Sequence, residues 1–546
     1  MKAAELFVKA LENEGVEYVF GIPGEENLDF LEALRTSKIK LVLTRHEQGA
    51  GFMAANYARV TGKLGVCLST LGPGATNFTT PAAYALLGGM SVLFITGQKP
   101  IRKSKQGKFQ IVDIVSMMEP LTKFAKQITH ANNIPALVRQ AAKLALSEKR
   151  GPVHLELPED IAAEEIEKEL YPVLPIIYPK PSVEAIDKAV EMIKAAKRPM
   201  LMIGAGANRC DMGKSLLDFV EKTGISFFTT QMGKGVIDEA HELCLGTAAL
   251  SRSDYVHCAT DRADLIINLG YDAQEKPSYF MQEDGAKVIH VNFYASEVDE
   301  VYFPQLDVLG DIKRSVELLT QKLEKQAHWD FDYFARLGKS IKEKMKDFAN
   351  DERFPFLPQF VVHELRLKLG CGDVISLDNG MYKLWFARNY PSCAPNTMLL
   401  DNALATMGAG LPGAIGVKLA KPNVNVLAVC GDGGFMMNSA ELETAVRLGL
   451  DITVIVLNDS GLEMIKWKQL DMKFDNFGLD FNNPDFVKYA QSYGAQGFAP
   501  KSANEFRAVL DLCLSTKGVK LIDLAIDYSL NHELLHLELA NKSCEL

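Results

Sequence analysis

Paired metal-binding spacings are missing from this chain. Its nine cysteines run from Cys67 to Cys544 with no CxxC or CxC among them. Structural zinc sites need such pairs, so zinc is disfavoured. An odd, scattered set reads best as reduced thiols of a cytoplasmic protein. Long apolar runs are missing too. No 18 consecutive residues are apolar, and the stretch 86–96 is too short to cross a bilayer. The opening Met1-Lys2-Ala3-Ala4-Glu5-Leu6 carries neither an apolar signal core nor an Arg/Ser-rich transit stretch. Positive charge is not in excess. With 59 Lys and Arg against 69 Asp and Glu, the net charge is −10, which argues against a nucleic-acid partner. The expectation is a cytoplasmic protein without membrane or nucleic-acid partners.

What is present is a long, ordinary globular composition. The 546 residues exceed one core, and 47% hydrophobic with 23% charged residues leaves little room for disorder. Short apolar β-rich runs, such as 16–20, 41–43, 66–69, 91–96 and 153–157, alternate with longer amphipathic segments. That alternation predicts βαβ units and parallel sheets covered by helices. The stretch 171–181 holds four prolines and reads as a linker, and a new strand begins at 200–203. A second break follows the charged, helix-prone segment 321–353, at Phe354-Pro355-Phe356-Leu357-Pro358. The expected fold is α/β with three domains, each a mostly parallel sheet covered by helices, at 1–170, 182–345 and 355–546. No short repeat is visible, yet the first and third domains could share a fold.

The third domain holds the most informative segment. A strand over 424–429 leads into Gly431-Asp432-Gly433-Gly434. A helix is predicted from Asn438, with Glu441 three residues later as in a capping box, ending at Gly449. A second strand over 452–457 leads into Asn458-Asp459-Ser460-Gly461. Asp432 and Asp459 therefore fall at the C-terminal ends of successive parallel strands, the edge where open α/β sheets bind ligands. Two carboxylates beside a glycine-rich helix entry suit Mg²⁺ bridged to a diphosphate, since the hard cation takes oxygen ligands and backbone N–H groups take anionic oxygens. Gly-Asp-Gly-Gly by itself would be only a turn. In the first domain, a strand over 40–44 leads into Arg45-His46-Glu47-Gln48-Gly49-Ala50, which opens a helix. By itself Glu47 reads as a first-turn acid complementing the helix dipole.

The Gly-Asp-Gly segment followed at this distance by strand-Asn-Asp resembles the thiamine-diphosphate signature. Arg-His-Glu-Gln-Gly-Ala resembles the cofactor-activating segment of the acetohydroxyacid synthase (acetolactate synthase) group. Gly21-Ile22-Pro23-Gly24, Leu71-Gly72-Pro73-Gly74-Ala75-Thr76-Asn77, Thr96-Gly97-Gln98, Phe109-Gln110 and Leu404-Ala405-Thr406-Met407-Gly408 match that group in order. The resemblance covers nearly the whole chain. It implies a pyrimidine-binding first domain, a Rossmann-like central domain and a diphosphate-binding third domain. It also implies thiamine diphosphate and Mg²⁺ as cofactors, with Asp432, Asp459 and the Gly461 carbonyl on the metal. Glu47 would bond N1′ of the aminopyrimidine ring. Met407 would hold the cofactor bent, and the Ala405 carbonyl would receive the N4′ amino group. Gly380, Met381 and Tyr382 would lie along the diphosphate with Gly431, Gly433 and Gly434, beside Leu462, Glu463 and Met464. Many relatives carry His where Tyr382 stands. Phe109 and Gln110 would line the substrate pocket, and the basic run Arg102-Lys103-Ser104-Lys105 reads as a solvated loop. The family forms its sites between subunits, which implies a homodimer or homotetramer.

Within the group, the residues favour carboligation. Adjacent histidines are absent, and neither 69–77 nor 106–110 contains His. Without such a proton donor the two-carbon unit persists long enough to attack a second oxo acid. The biosynthetic members bind FAD in the central domain through a Met-His-Gly segment and an Arg-rich strand end. The corresponding Leu245-Gly246-Thr247-Ala248-Ala249-Leu250 and Leu269-Gly270-Tyr271-Asp272 have neither, which argues against FAD and for the catabolic type. Gly204-Ala205-Gly206 alone is weak evidence for a dinucleotide. Lys468 stands where the biosynthetic members place a Trp that selects 2-oxobutyrate, with Trp467 one residue earlier, so pyruvate is the expected substrate and acceptor. The alternatives are another thiamine-dependent 2-oxo-acid decarboxylase or acyl transferase, a non-catalytic scaffold and, most distantly, a dinucleotide oxidoreductase.

Overall fold

The computed structural model describes residues 1–102, 107–251, 253–275, 281–542 and 544–545. Three six-stranded sheets follow one another along the chain, and every strand pairing within them is parallel. The first runs, edge to edge, Lys40–Leu43, Tyr18–Ile22, Gly65–Ser69, Val92–Gln98, Val153–Pro158, Ala125–Gln127. The third runs Met398–Leu400, Val374–Leu377, Val426–Gly431, Ile452–Asn458, Val519–Ala525, Gln496–Phe498. These two orders are the same when strands are counted from each domain's start, so the two domains do share a topology. The central sheet differs: Leu306–Leu309, Lys287–Asn292, Leu265–Leu269, Pro199–Ile203, Phe227–Thr230, Cys244–Ala248. Central strands such as Val92–Gln98 and Val153–Pro158 are buried along their whole length. Helices cover both faces of a parallel sheet, so its strands read as continuous apolar runs rather than alternating ones.

The first and third domains pack through helices Glu47–Thr61 and Gly410–Ala420. Both are rich in Gly and Ala, which lets the backbones approach closely. A Cβ on Gly413 would lie 2.9 Å from Asn56 Nδ2. Glu441 ties the same interface, accepting from the backbone N–H groups of Arg45 and His46 at 3.1 Å each. This corrects the expected capping box. The helix begins at Asp432 and ends at Met437, and a second begins at Glu441. Asn438 lies in the break and donates to the Gly408 carbonyl at 2.8 Å and Gln48 Oε1 at 3.2 Å. Both side chains reach the first domain, Glu441 at residues 45 and 46 and Asn438 at Gln48, which spacing cannot reveal.

The thiol expectation is also corrected. Cys258 pairs with Cys544 and Cys371 with Cys393, at Cα–Cα distances of 5.5 and 5.4 Å. The partners stand 286 and 22 residues apart. Tertiary folding, not local spacing, brings them together. Helix 321–353 is likewise only partly as expected: one helix ends at Lys322, and the next spans Asp332–Lys344. The C-terminal tail folds back onto the central domain. Tyr255 donates to Glu538 at 2.6 Å, Lys344 lies 3.1 Å from the same carboxylate, and Tyr333 donates to the Cys544 carbonyl at 2.8 Å. Among the described residues no helix is long and apolar enough to cross a membrane.

Candidate active site

The strands Val426–Gly431 and Ile452–Asn458 are neighbours, with Gly431 opposite Leu457. Their C-terminal ends carry Asp432 and Asp459 to one edge of the third sheet. Asp432 is held firmly: Oδ1 accepts the Gly433 N–H at 2.8 Å, and Oδ2 accepts the Ser460 N–H and Asn483 Nδ2, both at 2.7 Å. Asn483 also donates to Asn458 Oδ1 at 3.0 Å, so it spans both strand ends. Asp459 is different. Its Oδ2 is sealed from solvent with no hydrogen-bond partner. Burial, then the charges of Asp432 and Glu463, push its carboxyl up to about 8. A buried carboxylate oxygen with nothing to bind is costly to ionise, and a cation is the natural partner. Asp432, Asp459 and the Gly461 carbonyl are thus a donor set of hard oxygens that fits Mg²⁺.

These residues line a cleft of about 150 Å³ with Gly380, Met381, Tyr382, Met407, Gly433, Gly434, Leu462, Glu463 and Met464. Its floor demands glycine. A Cβ on Gly434 would lie 2.9 Å from Asp378 Oδ2, and one on Gly433 would lie 3.3 Å from Leu462. A bare backbone at a strand–helix turn lets N–H groups reach an anionic ligand. Tyr382 is buried within the wall, and its hydroxyl accepts the Gly431 N–H at 2.9 Å, which fixes the turn. Ala405 does not line this cleft. It adopts φ +55°, and its carbonyl accepts from Asn379 Nδ2 at 2.5 Å. Gln110 and Ser460, both with φ +57°, join it among the non-glycine residues held in the left-handed region. Such strain is tolerated mainly where function over-determines the backbone.

Sequence reasoning missed Asp378, Asn379 and Asn483. Asp378 accepts the N–H groups of Asn379 at 2.7 Å and Gly408 at 2.9 Å, which anchors the segment bearing Met407. Burial pushes its carboxyl up to about 6 despite these donors. Its position after strand Val374–Leu377 repeats the logic that singled out Asp432 and could have found it. Asn483 lies in irregular chain and had no such signal.

The first-domain candidates stand apart from the cleft. Glu47 opens helix Glu47–Thr61, where His46 Nδ1 caps the Gln48 N–H at 3.0 Å. The Glu47 side chain is buried, and Oε2 accepts from Asn77 Nδ2 at 2.9 Å. Gly74 crosses it closely, for a Cβ there would lie 3.1 Å from Glu47 Oε1. Phe109 is 61% exposed, Gln110 is exposed beside it, and the Gln110 carbonyl lies over Gly72. Of the basic run, Lys103, Ser104 and Lys105 lie outside the described residues. A larger space of about 670 Å³ adjoins the cleft through Gly380 and Met464. Trp467, Lys468 and the tail residues Leu535, His536 and Leu539 line it, with Lys468 Nζ 4.2 Å over the Trp467 ring.

Comparisons with known proteins agree with this architecture. Residues 1–117 match the thiamine pyrophosphate enzyme N-terminal TPP binding domain, 186–319 its central domain and 378–524 its C-terminal TPP binding domain. Thiamine diphosphate is therefore the cofactor the fold is built for. A probable acetolactate synthase large subunit from Methanocaldococcus jannaschii is 34% identical over 96% of this chain and 92% of its own length. The acetolactate synthase of Bacillus subtilis is 31% identical over 100% of this chain and 96% of its own. A catabolic acetolactate synthase from Raoultella terrigena is 30% identical over 96% and 95%. This chain belongs to the acetolactate synthase family of thiamine pyrophosphate enzymes.

Proposed function

We propose that this protein joins two pyruvate molecules into 2-acetolactate with release of CO₂, using thiamine diphosphate and Mg²⁺. The observation that carries the proposal is the partnerless Asp459 oxygen beside an anchored Asp432, at a glycine-floored turn, in a chain of this family. Thiamine diphosphate, when bound, supplies a carbon nucleophile and an electron sink for decarboxylation. The chain's residues do the rest. Asp432, Asp459 and the Gly461 carbonyl would hold Mg²⁺. Although the N–H groups of Gly431 and Gly433 are already given to Tyr382 and Asp432, the side-chain-free turn at Gly431, Gly433 and Gly434 would let the diphosphate approach the backbone. Gly380, Met381 and Tyr382 border it with Leu462, Glu463 and Met464. Met407, which lines the cleft, would pack against the cofactor. The Ala405 carbonyl would accept the N4′ amino group beside its bond from Asn379, and Glu47 would hold a proton at N1′ as a general acid–base. Phe109 and Gln110 face the substrate, and Lys468 disfavours acceptors larger than pyruvate.

Glu47, Phe109 and Gln110 do not line the cleft of their own chain. That separation supports a site completed by a second copy, in a homodimer or homotetramer. FAD is not part of the proposal, for a reason visible in the central domain. Glu275 fills the glycine turn after strand Pro199–Ile203. Its Oε1 accepts the N–H groups of Ala205 at 2.8 Å and Asp272 at 3.0 Å, and Thr230 donates to its Oε2. A carboxylate thus occupies donors that a dinucleotide diphosphate would need. The domain limits 1–170, 182–345 and 355–546 and a cytoplasmic setting complete the reading. Product analysis tests it. Acetolactate and CO₂ formed in equal amounts from pyruvate support carboligation, whereas acetaldehyde as main product assigns a decarboxylase.

A further inference from the structure

A cavity of about 300 Å³ lies where all three domains meet. It sits at the N-terminal edge of the first sheet, by the turn that enters strand Val92–Gln98, opposite the edge that carries Glu47. Three arginines line it: Arg59, Arg150 and Arg209. Arg150 and Arg209 share one carboxylate. Arg209 Nε donates to the Glu148 oxygens at 3.0 and 3.2 Å, and Arg150 Nε lies 3.3 Å from Glu148. Arg59 forms no ion pair among the described residues. Its Nε donates to Asn396 Oδ1 at 3.3 Å, while Nη1 is sealed from solvent with no partner.

Three arginines therefore line the cavity, while the buried carboxylate that two of them share, Glu148, lies behind the wall. Asp211 also borders the cavity but is exposed to solvent. Asp401 and Glu275 act on Arg59 through space without lining the cavity, and burial pushes both carboxyls up toward the neutral form. An unpaired buried charge is costly, and an anion is its remedy. The floor brings backbone close to the guanidiniums. Gly89 has φ +66°, and a Cβ there would lie 2.9 Å from Arg209 Nη1. Guanidinium forks match phosphate oxygens two at a time, and this space exceeds a lone phosphate while suiting a small ligand. We propose that this cavity binds a phosphate group, carried by inorganic phosphate or by a small phosphomonoester.

The site is separate from the cofactor cleft, so its test does not depend on turnover. The full-length protein is saturated with thiamine diphosphate and Mg²⁺ to close the cleft to phosphate. Calorimetric titration at constant ionic strength then uses inorganic phosphate, ribose 5-phosphate and AMP. The expected result is saturable binding of at least one of them, one per chain, with Kd raised at least tenfold in Arg59→Met. Phosphate binding as tightly as the esters identifies the ion as ligand, and tighter ester binding identifies a phosphomonoester. Arg150→Met, at a more exposed side chain, gives the same reading should Arg59→Met fail to fold. No saturable heat with any of the three, or binding unchanged in both variants, overturns the proposal.

Discussion

Glu275→Gln isolates one charge in the middle of the molecule. The carboxyl is fully buried, and desolvation raises it from the ordinary 4.5 to about 7, against the donors Thr230 and Ala205. Because the folded value lies above the unfolded one, the folded protein binds the proton more tightly. Stability from this group is full below about pH 4.5 and lost as pH rises toward and through 7. At about 1.4 kcal/mol per pH unit of difference, the ionised protein carries a penalty of about 3 kcal/mol, of which about 2–3 develops between pH 5 and 8. Glutamine keeps an oxygen for the Ala205 and Asp272 N–H groups, and its amide can donate to Thr230, so the geometry survives without the charge. Urea unfolding at pH 5 and pH 8, monitored by hydrogen exchange of the central domain, measures the difference. The variant should lose about 2–3 kcal/mol less than the parent protein across that interval. Parallel pH profiles for the two proteins would refute the account of Glu275 as a buried carboxyl that is costly to ionise in the glycine turn.

Glu47→Ala should lower kcat about 10²-fold or more while leaving thiamine diphosphate binding largely intact, as measured by turnover and calorimetry on the same preparation. Asn483→Ala removes one of the two donors to Asp432 Oδ2, leaving the Ser460 N–H, and should weaken Mg²⁺ binding about 10- to 100-fold, read from the Mg²⁺ dependence of activity. In mixtures of pyruvate and 2-oxobutyrate, pyruvate should prevail as acceptor, and dominance of the larger oxo acid would remove Lys468 from its assigned role. Mixing Glu47→Ala with Asp432→Ala subunits should restore part of the activity lost by each, since one of the two sites then carries neither change. No recovery after demonstrated subunit exchange would place the whole site within one chain.

The elements most legible in the sequence were those set by local chemistry. Strand ends carrying Asp432 and Asp459 followed from apolar runs meeting glycine, and the parallel sheets confirm their adjacency. The linker with four prolines followed from residues that cannot join a sheet or helix interior. What escaped was set at long range. Glu441 looked like a helix cap, yet the N–H groups it satisfies belong to residues 45 and 46. Cys258 and Cys544 carry no mark of each other across 286 positions. Asn483 meets Asp432 only because irregular chain returns to the sheet edge. Asp378 was within reach, for it follows a strand as Asp432 does, but no glycine run drew attention to it.

The most direct measurement is pyruvate consumption by the protein stripped of cofactor, then supplied with thiamine diphosphate, Mg²⁺, both or neither. The account predicts consumption only with both, with 2-acetolactate as the product. Turnover without thiamine diphosphate, or none with both present and bound, would contradict it.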